Sequence, residues 1–210
     1  MTFDDGIYPD FVKARVNCVV TALGEQFFKD KTMLEVGCGY GYAGELFEKL
    51  GANVTSLDAR SEHIEIVEER YPHRKTVVAD LEKDKIDGHY DIVLSFGLLY
   101  HLENPMHFIG EATRVCDNLI IETVVYDRNI VTSIVLNTDT TFDQGLYVQA
   151  RIVSAKWLYE VMAKFGFDCK DISSAEANVP GNRFDWLPKN NGDTSRDGYY
   201  LRKMFHGTKR

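Results

Sequence analysis

Apolar residues recur along this chain at two spacings. Between residues 9 and 29 they fall at Phe11, Val12, Val16, Val19, Val20, Leu23 and Phe27, which is the stripe of one helix face. TMLEV (32–36) is a short apolar run and reads as a buried strand. Residues 41–50 read as a helix that stops at Gly51, followed by a strand at NVTSLD (53–58). SEHIEIVEERY (61–71) is helical in pattern with Ser61 as N-cap, and KTVVAD (75–80) is a third strand. DIVLSF (91–96) is nearly all apolar, as a central parallel strand should be. A helix follows at 104–114 with Pro105 in its first turn, then a strand at NLIIETVV (118–125). A last helix spans 154–166, with Ser154 as cap and Gly166 as stop. FDCKDISS (167–174) and GYYLRKMF (198–205) are the sixth and seventh strands, separated by a loop and expected to pair antiparallel.

Strands alternating with helices imply an α/β fold with a parallel, doubly wound sheet and helices on both faces. Segments 126–153 and 175–197 lack periodicity and read as long loops. Such loops in a compact domain often carry function, so residues 126–210 are assigned to the substrate side and 30–125 to the cofactor side of a single domain spanning 1–210.

Composition narrows the function classes. The chain has 210 residues, 44% hydrophobic and 27% charged, with a net charge of −8. That acidic balance weighs against a nucleic-acid partner held through many phosphates. The basic end, LRKMFHGTKR, reads as a solvated tail. No apolar run reaches the ~20 residues of a membrane span, and the acidic start MTFDDGIYPD lacks signal-peptide regions, so a cytoplasmic location is expected. Cys18, Cys38, Cys116 and Cys169 are scattered without metal-ligand spacing, and no metal site is expected. Cys38 reads as a small residue filling a tight turn.

That turn, LEVGCGYGYAGELF (34–47), holds the candidate chemistry. Gly39, Gly41 and Gly44 match the dinucleotide pattern G-x-G-x-x-G. Counted from Gly37, the residue directly after the strand, the third glycine position is Tyr42, which fits poorly. Glu35 sits beside the turn, where a carboxylate repels a pyrophosphate and suits a cationic ligand. Asp58 closes the second strand, 21 residues after Gly37, where a carboxylate can accept from both ribose hydroxyls; Asp80 closes the third, where it can accept from an adenine amino group beside Leu81. Either aspartate alone can also be a helix cap or a turn starter.

LEVGCGYGYAGELF, VTSLDA, VVADLE and DIVLSFGLLYHLENP together resemble the successive motifs of class I S-adenosylmethionine-dependent methyltransferases over residues 30–125. The resemblance implies a Rossmann-like seven-stranded sheet of order 3-2-1-4-5-7-6 with strand 7 antiparallel. It implies S-adenosylmethionine as cofactor and S-adenosylhomocysteine as product. The implied cofactor contacts are Glu35, Gly37, Cys38, Gly39, Asp58, Ala59, Asp80, Leu81 and Phe96. Tyr8 and Arg15 lie in an N-terminal segment that closes over the cofactor in similar enzymes.

His101, in the loop after the fourth strand, is the candidate general base, with packing on the cofactor as its other reading. Tyr100 is a substrate candidate, or a core residue. Arg151 and Arg183 flank the long loops and are candidates for an anionic substrate. Trp157 falls on a helix's apolar face and reads as core. The leading expectation is methyl transfer to a small-molecule acceptor, at oxygen. Alternatives are alkyl or methyl transfer to the tRNA wobble uridine, a nicotinamide-dependent oxidoreductase, and a non-catalytic cofactor-binding protein.

Overall fold

A computed structural model describes residues 3–4, 6–126, 128–138, 140–141, 144–180, 182–184 and 200–210. In chain order the elements are α1 (Tyr8–Leu23), β1 (Thr32–Val36), α2 (Tyr42–Glu48), β2 (Asn53–Asp58), α3 (Ser61–Arg70), β3 (Lys75–Val78), β4 (Tyr90–Phe96), α4 (Pro105–Val115), β5 (Cys116–Tyr126), β6 (Ser133–Asn137), β7 (Gln149–Ser154), α5 (Ala155–Lys164), β8 (Phe167–Asp171), β9 (Asn182–Arg183) and β10 (Tyr200–Lys209). The main sheet runs β3-β2-β1-β4-β5-β10-β8. Its first five strands are parallel, and β10 runs antiparallel to β5 and β8. With β8 and β10 as the sixth and seventh strands, this is the expected order.

Strand side chains alternate between two cores because the strand period is two. Leu34, Val93, Leu119, Ile121 and Phe205 pack in the core shared with α4 and α5. Their neighbours Met33, Ile92, Leu94, Ile120 and Met204 pack in the core shared with α1 and α2. All of β4 from Ile92 to Ser95 is buried, which explains its continuous apolar run.

Several boundaries differ from the sequence reading. The first helix stops at Gly24, whose φ of +82° favours glycine, and a single 3₁₀ turn over Glu25–Phe27 follows. Arg60, not Ser61, occupies the N-cap of α3. Ser154 does cap α5, accepting from the Trp157 N–H at 3.1 Å, and Trp157 packs partly buried against the core. The segment 126–153 is not a loop throughout. It holds the hairpin β6–β7, and β7 extends the parallel ladder at the end of β5 through Val125–Val153 and Tyr126–Ser154. Segment 175–197 contributes a 3₁₀ turn at Ala175–Ala177 and the short β9, and residues 185–197 lie outside the described ones.

The basic C-terminus is no solvated tail. It is an interior strand from Tyr200 to Lys209, because its alternate residues Arg202, Met204 and His206 are buried toward the α1 side and Phe205 toward the other. His206 Nε2 lies 3.0 Å from Asn118 Oδ1, while Nδ1 is buried without a hydrogen-bond partner among the described residues. Burial first, and Lys170 beside it second, lower its pKa to about 4. The unfolded ring takes its proton near pH 6.5, so stability is full above that value and falls as pH drops toward 4. The linkage is worth at most about 3 kcal/mol. Urea titrations at about pH 7 and about pH 4.5 should therefore show a smaller acid loss for His206→Gln than for the wild type. An equal loss in both would remove His206 as the cause.

Candidate functional site

A cavity of about 560 Å³ opens at the carboxyl ends of β1, β2, β3, β4 and β5. In an open α/β sheet that edge is where ligands sit, because the strand-to-helix turns leave a crevice there. The turn after β1 makes one wall. Gly37 has φ +63° and lines the cavity, and a Cβ there would meet the Leu98 side chain at 3.1 Å. Gly39 has φ +52°, and a Cβ there would meet the Phe3 ring at 3.0 Å. Phe3 thus lies over the glycine turn, 5.2 Å from the Tyr40 ring and 5.3 Å from the His63 ring. The next residue, Asp4, accepts from Arg70 Nη2 at 2.6 Å and from the Tyr42 hydroxyl at 2.5 Å, and Arg70 foremost holds its carboxyl below the usual range. The N-terminal segment therefore does close over the turn, through residues the sequence reading had not singled out.

Asp58 stands at the end of β2 with its carboxylate at the cavity edge. Oδ2 accepts from the Gly39 N–H at 3.0 Å, and Oδ1 accepts from the Arg60 N–H at 3.0 Å. His63 Nδ1 lies 3.2 Å from Oδ1. The carboxylate ties the glycine turn to the start of α3, and also faces the cavity. Asp80, just past β3, lines the same cavity with Ala59 and Leu81. Burial alone would raise its pKa, but the Tyr147 hydroxyl at 2.5 Å, the Glu82 N–H at 3.0 Å and Lys83 at 3.3 Å outweigh that and lower it. Tyr147 comes from the segment before β7, and Leu146 and Gly145 beside it also face the cavity. Arg60 Nη2 holds this segment in place, lying 3.2 Å from the Thr140 carbonyl and 3.3 Å from that of Gly145.

The cavity is also lined by Tyr8, Arg15, Phe96, Tyr100, His101 and Arg202. Arg15 Nη2 is 3.3 Å from Glu122 Oε2, and Arg202 Nη1 is 2.7 Å from Glu122 Oε1. Arg202 Nη2 also donates to the Tyr100 hydroxyl at 3.1 Å. Arg15, Glu122 and Arg202 are 3%, 0% and 7% exposed. Burial lowers the Arg15 pKa against the pull of Glu122; for Arg202 the same burial is outweighed by Glu122 and Tyr100, and its pKa is raised. The His101 ring lies 4.1 Å from the Tyr100 ring.

Three expected cofactor contacts are placed elsewhere. Glu35 shares the strand face of Met33, so its side chain turns under α2 instead of into the cavity. Its carboxylate accepts from the Gly44 N–H at 3.0 Å and the Ser56 hydroxyl at 3.2 Å, with Arg74 Nη1 at 3.9 Å. Burial raises its pKa to about 7 in spite of Arg74 and these hydrogen bonds. Gly44 is the glycine that lets helix and sheet approach: a Cβ there would meet Glu35 Oε2 at 2.6 Å. Close helix packing is thus supplied in the frame of Gly39, Gly41 and Gly44, not at Tyr42. Cys38 is buried among Ile64 and Val67, away from the cavity, and its thiol is pushed well up by burial. Gly39 meets Phe3 and Asp58 and does not itself line the cavity.

Arg151 is also displaced from the expected site. It donates through Nε to the Glu103 carbonyl at 2.9 Å and lines a separate, outer pocket with Trp157. The Arg183 side chain lies outside the described residues. Glu122 and Arg202 were missed by sequence reasoning. A lone acid inside the apolar run IIETVV was the available signal for Glu122; Arg202 was hidden in the apparent tail. Among the described residues no cluster of histidines, cysteines and acids can hold a metal ion, and no helix is long and apolar enough to cross a membrane.

Comparison with known proteins agrees with this architecture. Residues 34–118 match a family described as "Methyltransferase domain". A putative methyltransferase 235L of Invertebrate iridescent virus 6 is 31% identical over 114 residues, 52% of this chain and 43% of that protein. A ubiquinone biosynthesis O-methyltransferase of Shewanella pealeana is 33% identical over 103 residues, 45% of this chain and 42% of that protein. The chain thus spans less than half the length of these curated relatives. The crystal structure of the N-terminal domain of EvdMO1 in the presence of SAH and D-fucose shares the fold at a TM-score of 0.69 and 18% identity, covering 96% of this chain and 83% of that one. Over residues 34–118 the chain thus resembles methyltransferase domains, and it shares its fold with that solved structure.

If Glu35 fastens helix to sheet, Glu35→Gln keeps an acceptor for the Gly44 N–H and offers Ser56 an amide donor in place of the carboxylate acceptor. Its stability should stay within about 1 kcal/mol of wild type, while Glu35→Ala should lose about 2–3 kcal/mol by leaving buried groups unpaired. Urea unfolding measures both. Equal stability of the two variants would contradict the fastening role.

Proposed function

We propose that the chain transfers a methyl group from S-adenosylmethionine to an oxygen atom of a small-molecule acceptor. The observation that carries this reading is one cavity lined both by Asp58 and Asp80, at the tips of neighbouring strands, and by Tyr100, His101 and the buried arginines. A volume of about 560 Å³ lies within the range of small-molecule sites, roughly 300–1,000 Å³. The relative named as an O-methyltransferase supports oxygen as the acceptor atom.

The residues present fit the cofactor. Gly37 leaves open the space that a Cβ would fill, and Asp58, Ala59, Asp80 and Leu81 present acceptors and an apolar wall along the strand ends. S-adenosylmethionine supplies a methyl group on a positively charged sulfur, already a good leaving group. Asp58 would hold the ribose hydroxyls and Asp80 the adenine amino group. Phe96 and Tyr8 add an aromatic wall, and Arg15, beside Gly97, is placed to meet the anionic carboxylate of the cofactor's methionine portion. The cavity walls would fix the acceptor's direction of approach, an alignment worth several kcal/mol. His101 would take the proton that the acceptor hydroxyl gives up when it is methylated.

Asp58→Ala should weaken S-adenosylhomocysteine binding by about 1–3 kcal/mol, the scale of charged hydrogen bonds lost. Calorimetry checks this, with a melting curve to confirm that the variant folds. Undiminished affinity would reject the ribose role. His101→Ala should leave that affinity unchanged and slow S-adenosylhomocysteine release during turnover by about 10²–10⁴-fold. Full turnover would reject the base.

A further inference from the structure

The cavity carries a grouping that methyl transfer to a hydroxyl does not require. Among the described residues, Arg15 and Arg202 share the carboxylate of Glu122 and all three are buried. Both arginines face the cavity. Arg15 Nε is buried and has no hydrogen-bond partner among the described residues. The Tyr100 hydroxyl accepts from Arg202 and also lines the cavity, beside His101. The guanidinium groups and the hydroxyl on this wall suit a planar, two-oxygen anion.

Position favours the acceptor over the cofactor as the source of that anion. Asp58 is on β2 and Arg202 on β10, four places apart in the sheet. At roughly 4.8 Å per strand, their backbones are about 19 Å apart. Asp80 and Phe96 bracket β3 to β4, three places, or roughly 14 Å. A cofactor lying along those ends has Arg15 beside it, since a Cβ on Gly97 would stand 3.4 Å from Arg15 Nη1, while the strand of Arg202 lies two places further on. The walls between are apolar and aromatic, including Phe11, Phe96 and Leu102.

We propose that the acceptor is a carboxylic acid with an apolar or aromatic body, its carboxylate anchored by Arg202 and the Tyr100 hydroxyl so that its nucleophilic oxygen lies near His101. The inference rests on the methyltransferase reading above and adds the acceptor's charge. It also replaces Arg151, which the fold places elsewhere, as the anion-binding arginine.

The test titrates the full chain first with S-adenosylhomocysteine. Benzoate, 4-hydroxybenzoate and 3-phenylpropionate are then titrated, each against its neutral amide, at saturating S-adenosylhomocysteine. At least one acid should bind about tenfold or more tightly than its amide, the ratio expected for a charged hydrogen-bonded pair. Arg202→Met leaves the Arg15–Glu122 pair in place and should reduce that ratio to threefold or less, with S-adenosylhomocysteine affinity within about twofold of wild type. Arg202→Lys, should the methionine variant not fold, keeps the charge without the fork and should show an intermediate ratio. S-adenosylhomocysteine binding without acid preference in the wild type would overturn this inference alone. Loss of S-adenosylhomocysteine affinity in Arg202→Met would assign the anion to the cofactor and overturn it too. No S-adenosylhomocysteine binding in the wild type would overturn the functional reading and this inference with it.

Discussion

The carboxylate of Asp58 joins the parts on which the site depends. One oxygen takes the N–H of Gly39 and the other the N–H of Arg60, so the turn after β1 and the start of α3 are held by a single side chain at the tip of β2. A glycine turn with φ near +60° at Gly37 and Gly39 has no side chains of its own to fix its path. The bond from β2 supplies that restraint, and the backbone N–H of Cys38 adds another by donating to the Leu57 carbonyl at 3.1 Å. The residue that shapes the turn is therefore the one that faces the cavity.

A second buried carboxylate, Glu35, works one layer below. It faces α2 because strand residues alternate, and it meets the only kind of residue that could sit above it, a glycine. Arg74 completes this layer by donating to the Gly41 carbonyl at 2.9 Å and pairing with Glu48 at 2.6 Å. The turn is thus clamped from the second strand and from beneath the following helix, leaving its outer side open to the cavity except where Phe3 crosses it.

Much of this was legible in the sequence. The main strands and helices follow from alternating apolar runs, their order is the one the family resemblance implied, and the acidic strand ends Asp58 and Asp80 line the cavity. Glu35 misled because its place one residue before the turn says nothing about which face of the strand it uses. Strand period two decides that, and it points the side chain under α2. The hairpin β6–β7 was illegible because its apolar residues do not alternate: Val135 and Leu136 are both exposed. The C-terminal strand was half legible. Its Met204 and Phe205 marked a strand, but the flanking lysines and arginines resembled a solvated end, which hid Arg202. The pairing of Arg15, Glu122 and Arg202 joins residues 107 and 80 positions apart along the chain, and no local pattern encodes such a contact.

Calorimetric titration of the unmodified protein with S-adenosylmethionine and, separately, with NADH tests the central claim most directly. The charge and shape of the cavity predict saturable binding of the sulfonium compound and no binding of the dinucleotide. Tight NADH binding with no heat from S-adenosylmethionine would contradict it.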